Sequence, residues 1–174
     1  MKKSNIALIG FMGTGKTVIG AKLAQVLNKK FIEMDEMIVK LAGKSIPEIF
    51  TEDGEIRFRE YEIQICKEAS HKKNVVIACG GGIILNKINI DYLKKSSVVV
   101  CLKTSPEVIF QRISKDGKEK RPLLNKPNPM GEIHKLLEFR APFYNSATEH
   151  QIETSILTID EIVEKICTIY ESAQ

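Results

Sequence analysis

The chain contains no tryptophan, and aromatic residues fill only 6% of its 174 positions. Base-stacking surfaces are therefore scarce. The net charge of +4, from 26 basic against 22 acidic side chains, is too small to mark a nucleic-acid face. No nucleic-acid partner is expected, although a slight positive balance suits an anionic small molecule. Long apolar runs are missing too. The longest spans 75–85 and is interrupted by Gly80, Gly81 and Gly82, whereas a membrane-spanning helix needs about 20 apolar residues. At the N-terminus, Lys2 and Lys3 are followed only by the short apolar stretch 6–9, too short for a signal-peptide core of about 7–15 residues. The expectation is a cytoplasmic protein with no membrane partner. Cysteine pairing signals are absent as well. Cys66, Cys79, Cys101 and Cys167 are scattered, with no C-x-x-C pair and no Cys/His cluster. They read as reduced structural thiols.

What is present is ordinary globular composition, 43% hydrophobic and 28% charged. The length predicts one domain, 1–174. Strand-like and helix-like stretches alternate along it. Residues 5–9 read as an apolar strand, and a glycine-rich turn covers 10–15. Val18, Ile19, Leu23, Val26 and Leu27 then follow a helical period. A second strand is expected at 31–34, and helical stretches at 35–42 and 46–70 are interrupted by Gly43 and Gly54. Unbroken β-branched runs at 75–79 and 98–102 suit strands buried on both faces. Pro106 opens a helix; another is expected at 130–144, a last strand at 151–156 and a closing helix at 159–172. Five strands separated by helices predict an α/β fold, a parallel sheet with helices on both faces. The stretch 114–128 departs from this patterning. It holds Lys115, Asp116, Gly117, Lys118, Glu119, Lys120, Arg121, Pro122 and Pro127, and its composition fits a mobile lid.

One motif carries most of the chemistry. Gly10-Phe11-Met12-Gly13-Thr14-Gly15-Lys16-Thr17 matches G-x-x-x-x-G-K-[ST] in full, between a strand and a helix. Glycines let successive N–H groups turn inward toward phosphate oxygens, and the helix N-terminus adds about half a positive charge. Lys16 can reach the β- and γ-phosphates, and the Thr17 hydroxyl is a hard oxygen ligand suited to Mg²⁺. Nucleoside triphosphate binding follows. The fate of the triphosphate does not: GTPase, motor, kinase and switch all use this loop. The guanine-reading N-K-x-D is absent, since Asn125-Lys126 runs into Pro127-Asn128 and Asn86-Lys87 into Ile88-Asn89.

A phosphotransferase needs a second pocket. Asp35 follows the second strand, within Glu33-Met34-Asp35, at the carboxyl end where ligands of parallel sheets bind, although a helix start would also use Asp35. Ile56, Arg59, Ile63 and Cys66 share helical spacing, as do Leu136, Leu137, Arg140 and Phe143, setting each arginine in line with apolar neighbours. Such a guanidinium needs an anion, either a structural glutamate or a substrate carboxylate. Gly80-Gly81-Gly82, directly after the third strand, suggest close approach of the backbone to a ligand.

Taken together, GFMGTGKT, the Asp35 after strand two, GKSIPEIF…DGE…FR, the GGG, RPLL and RAPFY resemble shikimate kinase, in order from about residue 5 to 145. The resemblance implies a three-layer P-loop fold like that of nucleoside monophosphate kinases, with a five-stranded parallel sheet ordered 2-3-1-4-5. It adds substrate-binding helices at about 35–70 and the lid at 114–128. The implied activity is ATP- and Mg²⁺-dependent phosphorylation of the shikimate 3-hydroxyl, a step of aromatic amino-acid biosynthesis, by a monomer.

By match, Asp35 contacts the shikimate hydroxyls, Arg59 and Arg140 hold its carboxylate, and Gly80, Gly81 and Gly82 line its pocket. Gly13, Thr14, Gly15, Lys16, Thr17 and Val18 hold ATP, with Arg121 reaching its phosphates from the lid. Lys16, Asp35 and Arg121 form the catalytic set, and Thr17 is the metal ligand. Glu33 stands where the familiar pattern has aspartate, and Arg112 is a candidate adenine contact. Two other readings compete: a gluconate or nucleotide kinase, and a catalytically silent nucleotide-binding protein. The arginine pair favours a carboxylate over a nucleobase, and Lys16, Asp35 and Arg121 are all retained.

Overall fold

Five parallel strands form the centre of the computed structural model, which describes residues 3–116 and 127–174. They are β1 (Asn5–Gly10), β2 (Lys30–Glu33), β3 (Val75–Ala78), β4 (Ser97–Lys103) and β5 (Gln151–Glu153). Their order across the sheet is β2-β3-β1-β4-β5, with Ile6 level with Val76 on one side and Val98 on the other. The expected P-loop kinase topology is therefore present.

Alternation along β1 explains the layers. Successive side chains point to opposite faces, so Ile6 and Leu8 join one core cluster and Ala7 and Ile9 the other. The first cluster packs against α1 (Lys16–Val26) and α8 (Ile159–Ser172) through Ile19, Leu23, Ile162 and Ile166. The second lies under α2 (Met34–Ala42), α4 (Gly54–His71) and α5 (Lys87–Ser96) through Ile38, Ile65 and Leu93. A third, smaller cluster sits beyond the end of β1. There Phe11 packs with Ile109 and Ile113 of α6 (Pro106–Asp116) and Ile133 of α7 (Pro129–Ala147). It anchors the glycine turn to the helices that flank the segment 117–126.

Local chemistry sets most boundaries. Asn86 and Asn128 cap α5 and α7, each side-chain oxygen accepting from an N–H of the first turn. Thr158 and Glu161 form a reciprocal capping box at α8. Four details differ from the sequence expectation. Met34 opens α2 rather than ending β2, because its side chain is fully buried against the helical core. The stretch expected as helix from 46 is a short turn, α3 (Ile46–Glu48), then a wider π-type turn over Ile49–Asp53, before α4 begins at Gly54. Helix α5 was not anticipated, since Lys87, Asp91, Lys94 and Lys95 dilute its apolar period. Strand β5 is only three residues long, and Thr154 just after it still donates its N–H to Lys103 O of β4 at 2.7 Å. The lid expected at 114–128 lies mostly outside the described residues, and Arg121 lies wholly outside them.

Candidate active site

The turn after β1 is held open by backbone conformation. Gly13 and Gly15 have φ of +77° and +93°, the left-handed region that side chains disfavour. Gly15 caps α1 without any side-chain cap, so the first N–H groups of that helix face the turn as an anion site. Lys16 folds back over it, its Nζ donating to the carbonyls of Gly10 and Phe11 at 2.9 and 2.8 Å. The Thr14 hydroxyl, buried, donates to Phe11 O at 2.8 Å. Two residues tie the turn to distant elements. Arg112 of α6 donates to Gly13 O at 2.9 Å, and the Thr154 hydroxyl lies 3.3 Å from Thr14 O. Val18 is exposed on the outer side of α1 and borders the same space.

Across the turn, the Thr17 hydroxyl donates to Glu33 Oε2 at 2.6 Å. Burial pushes the Glu33 carboxyl above its ordinary range. The Thr17 bond and Lys16 oppose that shift, while Asp35 and Glu36 add to it. Asp35 sits in the first turn of α2 and is not its cap; that position belongs to Glu33. A cavity of about 610 Å³ joins these groups. Lys16, Thr17, Glu33, Asp35, Gly80 and Gly81 border one part of it, and Arg112, Thr154 and Leu157 another. Cys79 also lines it, and burial holds its thiol well above the ordinary range, so it stays neutral. Cys66, Cys101 and Cys167 are likewise free thiols, as expected.

The glycine triplet forms the far rim, and each member has a different neighbour. A Cβ on Gly80 would come within 2.9 Å of Glu62 Oε1 and 3.2 Å of Asp35 Oδ1. On Gly81 it would press on Met12 N at 3.2 Å, and on Gly82 it would land on the Arg59 guanidinium. Arg59 is paired within α4, to Glu62 at 2.6 Å and Glu55 at 2.8 Å. The glutamate partners weighed for it are therefore present. The expected stripe holds only in part: Cys66 is buried, but Ile56 is 81% exposed, and α4 turns Phe58, Glu62 and Ile65 to the core. Arg140 is 3% exposed. It stacks on the Phe11 ring at 5.4 Å and donates to Gly81 O at 3.4 Å. Its buried companions on α7 are Ile133, Tyr144 and Ala147, while Phe143 faces outward.

Both arginines thus meet at the glycine triplet. Neither lines the cavity itself.

Sequence reading missed two residues here. Glu62 is 1% exposed beside Asp35 and Arg59, and burial raises its carboxyl while Arg59 opposes the rise. Tyr144 donates its hydroxyl to Gly81 O at 2.7 Å. Each signal was available as a polar residue three or four positions after a singled-out arginine.

The shikimate kinase family model matches residues 12–171. The chain belongs to the shikimate kinase family. It is 46% identical to a shikimate kinase of Caldanaerobacter subterraneus subsp. tengcongensis, over 95% of each chain. It is also 46% identical to one of Thermodesulfovibrio yellowstonii, over 96% of this chain and 95% of that one. Among solved structures, the shikimate kinase of Acinetobacter baumannii in complex with shikimate superimposes with a TM-score of 0.92 at 36% identity, covering 98% of this chain and 94% of that one. That of Aquifex aeolicus gives 0.82 at 34%, covering 97% and 96%. The activity is that of a small-molecule kinase: ATP-dependent phosphoryl transfer to shikimate. No helix among the described residues is long and apolar enough to cross a membrane.

Proposed function

We propose that the cavity divides the work of this reaction between two sides. The turn at 10–17 holds the ATP phosphates through Gly13, Thr14, Gly15, Lys16, Thr17 and Val18. Asp35, Arg59, Arg140 and the glycine triplet hold shikimate. The observation that carries this reading is one cavity bordered by Lys16, Asp35, Gly80 and Gly81, with both arginines bonded or packed onto the triplet.

Phosphoryl transfer passes through a loose transition state, so positioning and charge stabilisation dominate. Lys16 would exchange its two carbonyl partners for phosphate oxygens, which accept a charged donor more strongly. Asp35 orients the attacking 3-hydroxyl and takes its proton late in transfer. Arg59 and Arg140 receive the carboxylate through their planar forks. Arg121, in the segment 114–128, completes the charge around the phosphoryl group on lid closure, which excludes water.

One Mg²⁺ fits beside the turn. The Thr17 hydroxyl and the Glu33 carboxylate put two hard oxygens 2.6 Å from one another. No cluster of three ligating side chains exists among the described residues, and Mg²⁺ in phosphotransferases uses few protein ligands and several waters. Thr17 would hold the ion, with Glu33 behind it, and the ion would neutralise developing phosphate charge. The same reading takes 1–174 as one domain with acceptor-binding helices at 35–70, acting as a cytoplasmic monomer.

The test is ATP consumption with shikimate, quinate, gluconate and nucleoside monophosphates offered in turn. Turnover confined to shikimate is expected. Turnover with gluconate or a nucleotide and none with shikimate would overturn the division.

A further inference from the structure

Three carbonyls of the glycine triplet need partners, and the turn itself supplies two. Ile83 N–H bonds Gly80 O at 3.2 Å, and Leu85 N–H bonds Gly82 O at 3.0 Å. The Gly81 carbonyl is served from another element. Tyr144 of α7 donates to it at 2.7 Å and Arg140, one turn earlier on the same helix, at 3.4 Å. The two bonds are unequal, the arginine's being long and the tyrosine's near the O–H···O optimum.

The inequality matters because the arginine has a second claim on it. A carboxylate forms stronger, charge-assisted bonds with a guanidinium than a neutral carbonyl does. When Arg140 turns to shikimate, its 3.4 Å bond is the one to give way. Tyr144 has no such competing task. It is 5% exposed, packed with the core beneath α5 and the triplet, and burial holds its phenol protonated and above its ordinary range. A peptide between two glycines has little intrinsic preference for one orientation. Because that peptide is planar, fixing Gly81 C=O also fixes Gly82 N–H.

We propose that Tyr144 is a positioning residue for shikimate: its hydroxyl locks the Gly81–Gly82 peptide and sets the spacing between the glycine triplet and Arg140, so that both meet the acceptor in register. This rests on the assignment of the triplet and Arg140 to the acceptor side. Tyr144 does not line the cavity, so its influence runs through Gly81, whose carbonyl it bonds. The same helix face supplies a substrate contact and the clamp on the loop opposite, and neither can shift without the other.

Tyr144→Phe keeps the ring in place and removes only the hydroxyl. The expected result is a rise of about three- to tenfold in KM for shikimate, the loss of one neutral hydrogen bond, with KM for ATP unchanged. Hydrogen exchange at 80–82 should quicken in the variant. A fall in Tm with both KM values unchanged would overturn the proposal, leaving Tyr144 a core residue only. Should the variant fail to fold, exchange in the unliganded wild-type protein decides. Slow exchange at 81–82 supports a locked peptide, and exchange as fast as an unstructured loop refutes it. If the wild-type enzyme turns over shikimate but Arg140→Lys leaves its KM unaltered, the acceptor assignment has failed, and a Tyr144 result no longer bears on it.

Discussion

The two sides that we propose, for nucleotide and for acceptor, are built in opposite ways. The nucleotide side is one contiguous stretch, 10–17, whose partners are mainly its own carbonyls: Lys16 bonds Gly10 and Phe11, and Thr14 bonds Phe11. The proposed acceptor side is assembled from separate elements, α2 and the glycine triplet bordering the cavity and α4 and α7 behind the triplet. Its arginines are satisfied differently as well. Arg59 has two glutamates on its own helix, while Arg140 has a long bond to a carbonyl, the face of Phe11 and the neighbouring Tyr144 hydroxyl. A contiguous turn is specified by local backbone chemistry, whereas an assembled pocket depends on how helices pack. Damage to the first should therefore abolish chemistry, and damage to the second should appear as altered acceptor affinity.

The sharpest way to break this contrast is Lys16→Ala. Removing a preorganised charge at the transferring phosphate should lower kcat by about 10³-fold, with shikimate affinity preserved in a direct binding measurement. Loss of both together would mean the sides are not separable. Next in size is Asp35→Asn, expected to cut kcat by about 10²-fold while Tm and ATP binding hold. A steep drop in Tm would instead make Asp35 a support of the α2 start.

Arg140→Lys is smaller and more diagnostic. Lysine keeps the charge but loses the planar fork, so KM for shikimate should rise about ten- to a hundredfold at an unchanged Kd for ATP. Arg121→Lys should do the reverse, acting on nucleotide kinetics and kcat. Identical profiles for the two would erase the division.

The smallest effect concerns Glu33, on the border between the sides. Burial raises its carboxyl, so the folded state prefers it protonated, and its ionisation costs stability as pH rises through that raised value. Glu33→Gln removes the cost and can still accept from Thr17. Its Tm advantage over wild type should be near zero at pH below the ordinary glutamate range and grow as pH rises toward neutrality. The Mg²⁺ concentration needed for half-maximal rate should increase. A pH-independent Tm difference would mean the carboxylate is already well solvated.

Legibility in the sequence follows the same line as the architecture. The turn at 10–17 was readable because each glycine, Lys16 and Thr17 does its work within eight consecutive positions. Strands β1, β3 and β4 were readable because strands covered on both faces read as near-continuous apolar runs. Reading helices by periodicity was less secure. Helix α5 buries only Asn89, Ile90 and Leu93, too thin a stripe to stand out. In α4 the period was right in kind but wrong in phase, since Ile56 faces water and Glu62 faces the core. A pattern of apolar residues gives no place to a buried carboxylate, whose burial makes sense only once Arg59 lies beside it.

The sequence by itself determined the glycine turn with its phosphate-binding motif, the alternation that yields a parallel sheet, and the presence of Asp35, two arginines and three glycines, the residues we propose for the acceptor. These rest on backbone torsion and covalent spacing, which are local. Only the tertiary structure decided that Glu33 closes on Thr17, that Arg140 packs on Phe11, and that Tyr144 and Arg140 converge on the carbonyl of Gly81. Those contacts join residues brought together by packing helices against the sheet, and hydrogen bonds demand a precision of a few tenths of an ångström that no spacing rule along the chain supplies.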